Sequence, residues 1–224
     1  MSGFLTAIAD LFYPPRCMIC HRIVERKQMP VCGKCLCSLP EHDGADPEVR
    51  FSSRSVATFF YEKDLREAFL RYKFRERTFY AEQFGKWMSI TVQDKLRGRF
   101  DLVSFVPVSG KRRRRRGYDQ TELLCRSLCR ELGTEPVVTL RKRRDTKPQS
   151  SLQDASERRA NAAGAYEAVQ PERFAGKRVL LIDDILTTGA TLSECCRVLR
   201  TAGTADVVCA ALATPRNGGE RKTI

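Results

Sequence analysis

Continuous apolar runs and helical stripes alternate along most of this chain. Ser55 to Tyr61 reads as a strand, and after it Leu65, Phe69 and Tyr72 recur at helical spacing. Ala81 to Leu96 repeats that spacing, with Phe84, Trp87, Met88 and Ile90 on the face expected to be buried. Phe100 to Val108 reads as a strand, Asp119 to Leu132 as a helix carrying Leu123, Leu124, Leu128 and Leu132, and Pro136 to Leu140 as another strand. Gly176 to Asp184, Leu192 to Ala202 and Ala205 to Ala213 close the series as strand, helix and strand. Such alternation predicts an α/β fold, a mostly parallel sheet with helices on both faces. Val179-Leu180-Leu181-Ile182 has no polar alternation, as expected of a strand covered on both sides.

That run leads directly into Asp183-Asp184-Ile185-Leu186-Thr187-Thr188-Gly189-Ala190-Thr191. Thr187, Thr188 and Thr191 offer hydroxyls, Gly189 and Ala190 keep side chains out of the way, and the following helix should aim free backbone N–H groups at an anion. The helix dipole adds about half a positive charge there. A phosphate has no use for Asp183 and Asp184, whose partners would be hydroxyls, a sugar diol or magnesium. A sugar with a phosphate a few ångströms from two adjacent hydroxyls satisfies the whole stretch. The plainer reading is a buried strand whose acidic pair caps a helix. A Walker-type loop is disfavoured, because no Gly-Lys-Ser/Thr follows.

Charge widens the field of ligands. With 40 basic and 27 acidic residues the formal charge is +13, which suits nucleic acid and a pyrophosphate-bearing ligand alike. No apolar stretch approaches the ~20 residues of a membrane span. Met1 to Phe12 places Phe4, Leu5, Ile8, Leu11 and Phe12 on one helical face without a basic leader region, so it reads as an amphipathic helix packed on the body or lying on a membrane surface, not as a signal peptide.

The ten cysteines divide into two groups. Cys125, Cys129, Cys195, Cys196 and Cys209 fall in helical or strand patterns as small core residues. Cys17-Met18-Ile19-Cys20 and Cys32-Gly33-Lys34-Cys35 form two knuckles separated by a short basic hairpin, and four thiolates satisfy tetrahedral zinc. A redox Cys-x-x-Cys pair is the alternative, but no thioredoxin-like βα unit accompanies it. Cys37, His21 and His42 are spare potential ligands. Reduced thiols without a signal sequence indicate the cytoplasm.

Three further basic stretches stand out. Tyr72-Lys73-Phe74 could stack on a nucleic acid strand or form the core face of a helix with a basic edge. Lys111, Arg112, Arg113, Arg114, Arg115 and Arg116 are six consecutive cations, expected to form a loop that is compact only around an anion, either a pyrophosphate or a nucleic acid. Arg141, Lys142, Arg143 and Arg144 open a long aperiodic stretch to Leu152 that reads as a lid or a disordered loop.

The four apolar residues, two acids, two apolar residues and Thr-Thr-Gly-Ala-Thr of Val179 to Thr191 resemble the phosphoribosyl pyrophosphate (PRPP) motif of type I phosphoribosyltransferases. Gly117-Tyr118-Asp119-Gln120 after the basic run, Thr146 with Gln149 and Leu152, and Arg159, Asn161, Gly164, Ala165 and Tyr166 resemble the ComF family, from Leu11 to Pro215. That resemblance implies a zinc-knuckle subdomain at 1–45, a phosphoribosyltransferase-like domain at 55–215 and a mobile tail at 216–224. It implies that Asp183 and Asp184 hold the ribose diol, that Thr187, Thr188, Gly189, Ala190 and Thr191 hold the 5′-phosphate, and that Ser109, Gly110 and Lys111 lie in the pyrophosphate loop. Magnesium would bridge pyrophosphate and ribose. The biological role implied is DNA uptake in natural transformation, with single-stranded DNA held by Lys73, Arg112 to Arg116 and Arg141 to Arg144, and with uptake-machinery proteins as partners. The alternative is an enzyme transferring phosphoribose from PRPP to a nitrogen acceptor, with Lys111, Asp183 and Asp184 catalytic.

Overall fold

In the computed structural model, residues 12, 14–26, 30–74, 79–145 and 155–216 are described. A short helix, α1 (Gly33–Leu36), lies in the second cysteine knuckle, and then come β1 (Arg54–Phe60), α2 (Lys63–Phe74) and α3 (Tyr80–Lys95). β2 (Leu102–Phe105), α4 (Gly110–Arg116) and α5 (Gln120–Glu131) follow. A small hairpin is made by β3 (Leu140–Lys142) and β4 (Tyr166–Ala168), with α6 (Ala155–Ala162) between them in sequence. β5 (Arg178–Ile185), α7 (Ala190–Thr201) and β6 (Asp206–Thr214) complete the chain.

The main sheet has the order β1-β6-β5-β2, and each pairing is parallel. Period-two alternation sends consecutive β5 side chains into different layers. Leu180 and Ile182 pack with Phe69 and Tyr72 of α2, Phe84 and Met88 of α3, and Leu124 and Leu128 of α5. Val179 and Leu181 pack with Leu192, Cys195 and Leu199 of α7, and with Leu140 and Tyr166 of the hairpin. The expected α/β sheet, covered on both faces, is therefore what forms. Both sheet edges are occupied: Phe60 donates its N–H to Pro40 O at 2.7 Å, and Val137 donates to Val103 O at 2.8 Å.

Met18 and Ile19 of the first knuckle belong to the same core as α2 and α3. Arg71 of α2 donates to the carbonyls of Met18 at 2.9 Å and Ile19 at 2.5 Å. Knuckle and body are thus welded through α2. Helices α3 and α5 approach closely at Gly85, where an added Cβ would stand 2.8 Å from the backbone nitrogen of Leu128.

Several sequence expectations need correction. Lys111 to Arg116 is helical rather than an open loop, because Ser109 Oγ caps it by accepting from Arg112 N at 3.3 Å and Gly117 ends it at φ 76°. Residues 136–139 form no strand of their own beyond a bridge from Pro136 to Val103, and the paired strand starts at Leu140. Ile90 is exposed rather than buried. The Met1 to Phe12 helix, the Thr146 to Leu152 stretch, and the tail beyond Arg216 fall almost wholly outside the described residues.

Candidate functional site

The carboxyl ends of β2 and β5 open into a cavity of about 470 Å³. Strands β3, β4 and β5 and helices α2, α4, α5, α6 and α7 wall it. The strand β5 contributes Asp183 and Asp184, and because neighbours on a strand point oppositely, each carboxylate meets a different helical layer. Asp184 turns toward α2 and α5, where Lys73 Nζ stands 2.8 Å from its Oδ2 and Gln120 Nε2 donates to the same oxygen at 3.2 Å. Burial opposes this carboxylate's charge, but Lys73 and Gln120 outweigh it and hold Asp184 below the usual carboxylate range. Asp183 points the other way and accepts from the Asp184 N–H at 2.8 Å. Burial, then the neighbouring Asp184 charge, pushes its carboxyl up to about 8. The environment thus favours the ionised form of Asp184 and the protonated form of Asp183.

The loop after β5 forms the floor. Gly189 adopts φ 70° at the cap position of α7, and a Cβ there would meet Glu48 O at 3.0 Å. Ala190, Thr191 and Leu192, at the amino end of α7, line the cavity. Thr187 and Gly189 line it too, whereas Thr188 is exposed and outside the lining.

Cations close the remaining sides. Arg112, Arg115 and Arg116 of α4 share one helical face, at positions i, i+3 and i+4, and all three line the cavity. Ser109, Gly110 and Lys111 do not: Ser109 is spent as the helix cap, and Gly110 and Lys111 face solvent. The structure therefore moves the basic wall from the loop residues to the inner face of the helix, and Lys111 is not brought to the acidic pair. On β3 the period-two alternation separates Lys142, which enters the cavity, from Arg141 and Arg143, which pair with Glu167 outside at 2.5 and 3.2 Å. Arg144 donates to Ala163 O at 2.7 Å. Burial, then the facing Arg112, lowers Lys142 to about 8, and its ammonium lies 5.0 Å from the Tyr166 ring centroid. Arg158 and Asn161 of α6 complete the lining.

Lys73, Arg112, Arg115, Arg116, Lys142 and Arg158 make six basic side chains against two carboxylates, so the cavity is built for an anion of several charges. Tyr72 is buried in the core and is not available to stack on a base; its hydroxyl donates to Gln120 O at 2.5 Å. Gln120 was not singled out by chemistry in the sequence. Its place at the first turn of α5, after the capping Asp119, is the signal that locates it.

The second candidate centre is the cysteine knuckle. The Sγ atoms of Cys17, Cys20, Cys32 and Cys35 all lie within 4.8 Å of one another, while Cys37, His21 and His42 are outside the group. Four sulfurs about a metal at ~2.3 Å would be spaced about 3.8 Å apart, so the set fits one tetrahedral ion such as zinc. Backbone support is in place, since the Cys32 N–H donates to Cys17 Sγ at 3.4 Å, and such N–H contacts bring the Cys17 thiol down to about 7 against the effect of burial. All ten cysteines are free thiols.

Comparison with known proteins now decides the family. A phosphoribosyl transferase domain model matches residues 121–224. Competence protein F of Haemophilus influenzae is 30% identical over 182 residues, spanning 79% of this chain and 75% of that protein. This chain belongs to the competence protein F family. Other relatives in the family's company are competence protein ComFC of Streptococcus pneumoniae, 30% identical over 67% of this chain and 64% of its own, and the DNA utilization protein YhgH of Escherichia coli K12, 27% identical over 85% and 80%. The type I phosphoribosyltransferase-like sheet and the four-cysteine knuckle thus occur together in a competence protein F family member. Among its described residues, no helix is long and apolar enough to cross a membrane.

Proposed function

We propose that this chain binds PRPP, or a closely related phosphosugar, together with magnesium, and serves the handling of single-stranded DNA during uptake in natural transformation. The observation that carries the ligand assignment is the meeting of Asp183, Asp184, the amino end of α7 and six cations in one cavity. On this reading Thr187, Thr191 and the first residues of α7, which line the cavity, take the 5′-phosphate, and Asp183 and Asp184 take the ribose diol. Arg112 and Lys142 face each other across the space where a pyrophosphate would be neutralised. Magnesium, when bound, would supply further positive charge to the pyrophosphate.

The family and the names of the relatives support the uptake role. The cations available to a DNA strand are fewer than the sequence suggests: Arg112, Arg115 and Arg116 line the cavity, and Arg141 and Arg143 are paired with Glu167. Arg113 pairs with Glu122 at 3.6 Å, so Lys111 and Arg114 on the outer face of α4 remain as the DNA-facing group. Partners in the uptake machinery belong to the same proposal, as does a cytoplasmic location.

A transferase reading draws support from Tyr61, Leu70 and Ile185, which add apolar surface to the cavity lining. A nitrogen acceptor lodged there would attack the ribose C1 as the bond to pyrophosphate breaks, giving its proton to water.

Two paired variants separate these functions. Asp183→Ala with Asp184→Ala should abolish PRPP binding and leave salt-dependent DNA binding within about twofold of wild type. Lys111→Gln with Arg114→Gln should do the reverse and reduce the slope of log affinity against log salt by roughly 0.7 for each DNA phosphate that is no longer neutralised. Equal loss of both ligands in both variants would refute separate sites.

A further inference from the structure

Gln120 sits between the two halves of the cavity and touches both. Its Nε2 donates to Asp184 Oδ2 at 3.2 Å, and its Oε1 accepts from Arg116 Nη1 at 2.8 Å. Its backbone carbonyl is held by the Tyr72 hydroxyl at 2.5 Å, and the Tyr118 hydroxyl in turn donates to Tyr72 O at 2.5 Å. The residue is only 5% exposed, and Asp119 caps the helix it begins by accepting from the N–H groups of Thr121 and Glu122. A side-chain amide held at both ends, on a backbone that is itself anchored, has one orientation. With Arg116 on its oxygen, its NH2 group is the end that faces Asp184.

The consequence falls on Asp184. Both Lys73 and Gln120 bind its Oδ2, from α2 and α5 respectively, and neither occupies Oδ1. Lys73 alone, a flexible point charge, does not fix the plane of a carboxylate. A second, directional donor from a rigid helix terminus does, and the carboxylate that it fixes lines the cavity.

We propose that Gln120 is a positioning residue of the diol subsite, which sets preference for a ribose over a 2-deoxyribose ligand by holding the Asp184 carboxylate in register. This rests on the reading of the cavity as a phosphosugar site. Gln120 need not touch the ligand; it acts through Asp184, while its link to Arg116 ties that orientation to the cationic wall of α4. The ligand class implied is a ribose phosphate with both hydroxyls free.

The test compares ribose 5-phosphate with 2-deoxyribose 5-phosphate by equilibrium titration of wild type, Gln120→Met and Gln120→Glu, with inorganic pyrophosphate as the control ligand. Wild type should prefer the ribose compound about tenfold, the size of one hydrogen bond to a charged group. Gln120→Met, which fills the space without a donor, should lower that preference to below about threefold while pyrophosphate affinity stays within about twofold. Gln120→Glu keeps the shape and the Arg116 contact and removes the donor. It should lose the preference as well, which separates orientation from packing. An unchanged preference in either variant, with wild type discriminating, overturns the role of Gln120 and leaves the phosphosugar reading standing. A wild-type protein that binds both sugars equally overturns the diol preference and with it the role of Gln120, and one that binds neither overturns the phosphosugar reading.

Discussion

Asp183 and Asp184 are adjacent in sequence and live in different chemistry because a strand turns neighbours apart. Asp184 meets Lys73 and Gln120, while Asp183 is buried beside it with its carboxyl raised to about 8. A carboxyl whose native value lies above its unfolded value of about 3.9 binds protons more tightly when folded, so it costs stability increasingly as pH rises from about 4 to 8. Asp183→Asn should therefore stabilise the ligand-free protein, by at least about 1 kcal/mol at pH 8 and by little at pH 4. Denaturant unfolding at the two pH values checks this, and equal gains at both would contradict it. Lys142 gives the opposite sign for an anion. Its ammonium is lowered to about 8 by burial and Arg112, so it is charged below that pH and neutral above. Without magnesium, pyrophosphate affinity of wild type relative to Lys142→Arg should fall about fivefold between pH 7 and 9, since an arginine stays charged. A constant ratio across that range would remove Lys142 from the site. The acidic pair, Thr187 and Thr191 could be read as cavity residues because an apolar strand runs into Asp-Asp and a Thr-Gly-Ala loop, whereas Thr188 of the same loop lies exposed outside the lining. Lys142 was legible only as one of four cations, since sequence gives no sign of which strand face looks inward.

At the scale of elements, α4 shows how charge misleads. Six like charges argue for an open loop, yet Ser109 and Gly117 supply a cap and a stop, and a two-turn helix sorts the cations by face. Arg112, Arg115 and Arg116 look into the cavity and Lys111 and Arg114 look out. The spacing i, i+3, i+4 was present in the sequence, but with all six positions basic no polar contrast revealed it. Strands were read with more success, because β1, β5 and β6 carry near-continuous apolar runs and their ends moved by a few residues at most. The cysteine knuckle connects to the site through one helix. Arg71 holds the Met18 and Ile19 carbonyls, and two residues later Lys73 holds Asp184. If the knuckle holds zinc as its four thiols fit it to do, Cys17→Ser should abolish zinc binding, lower the melting temperature by several degrees and weaken the proposed PRPP binding through displacement of Lys73. Metal analysis beside a thermal melt measures the first two. Stoichiometric metal retained by this variant would overturn the ligand set.

At the scale of the whole molecule, the basic surplus gathers in part at one place. The charge of +13 is spread over the surface, but six cations converge on one cavity whose only carboxylates, among the described residues, are Asp183 and Asp184. A parallel sheet binds at the carboxyl ends of its strands, and here the ends of β2 and β5, the start of α7 and the inner faces of α4 and α6 meet at that place. The fold class could be read from alternation alone. The meeting of α2, α5 and β3 around the acidic pair could not, because it depends on packing between elements far apart in sequence. The central claim is that this cavity binds a magnesium-dependent phosphosugar. Isothermal titration of the purified full chain with PRPP, with and without magnesium, tests it most directly. The account predicts saturable one-site binding that is at least about tenfold tighter with magnesium and lost in Asp184→Ala; heat of dilution alone under both conditions, from folded protein, would contradict it.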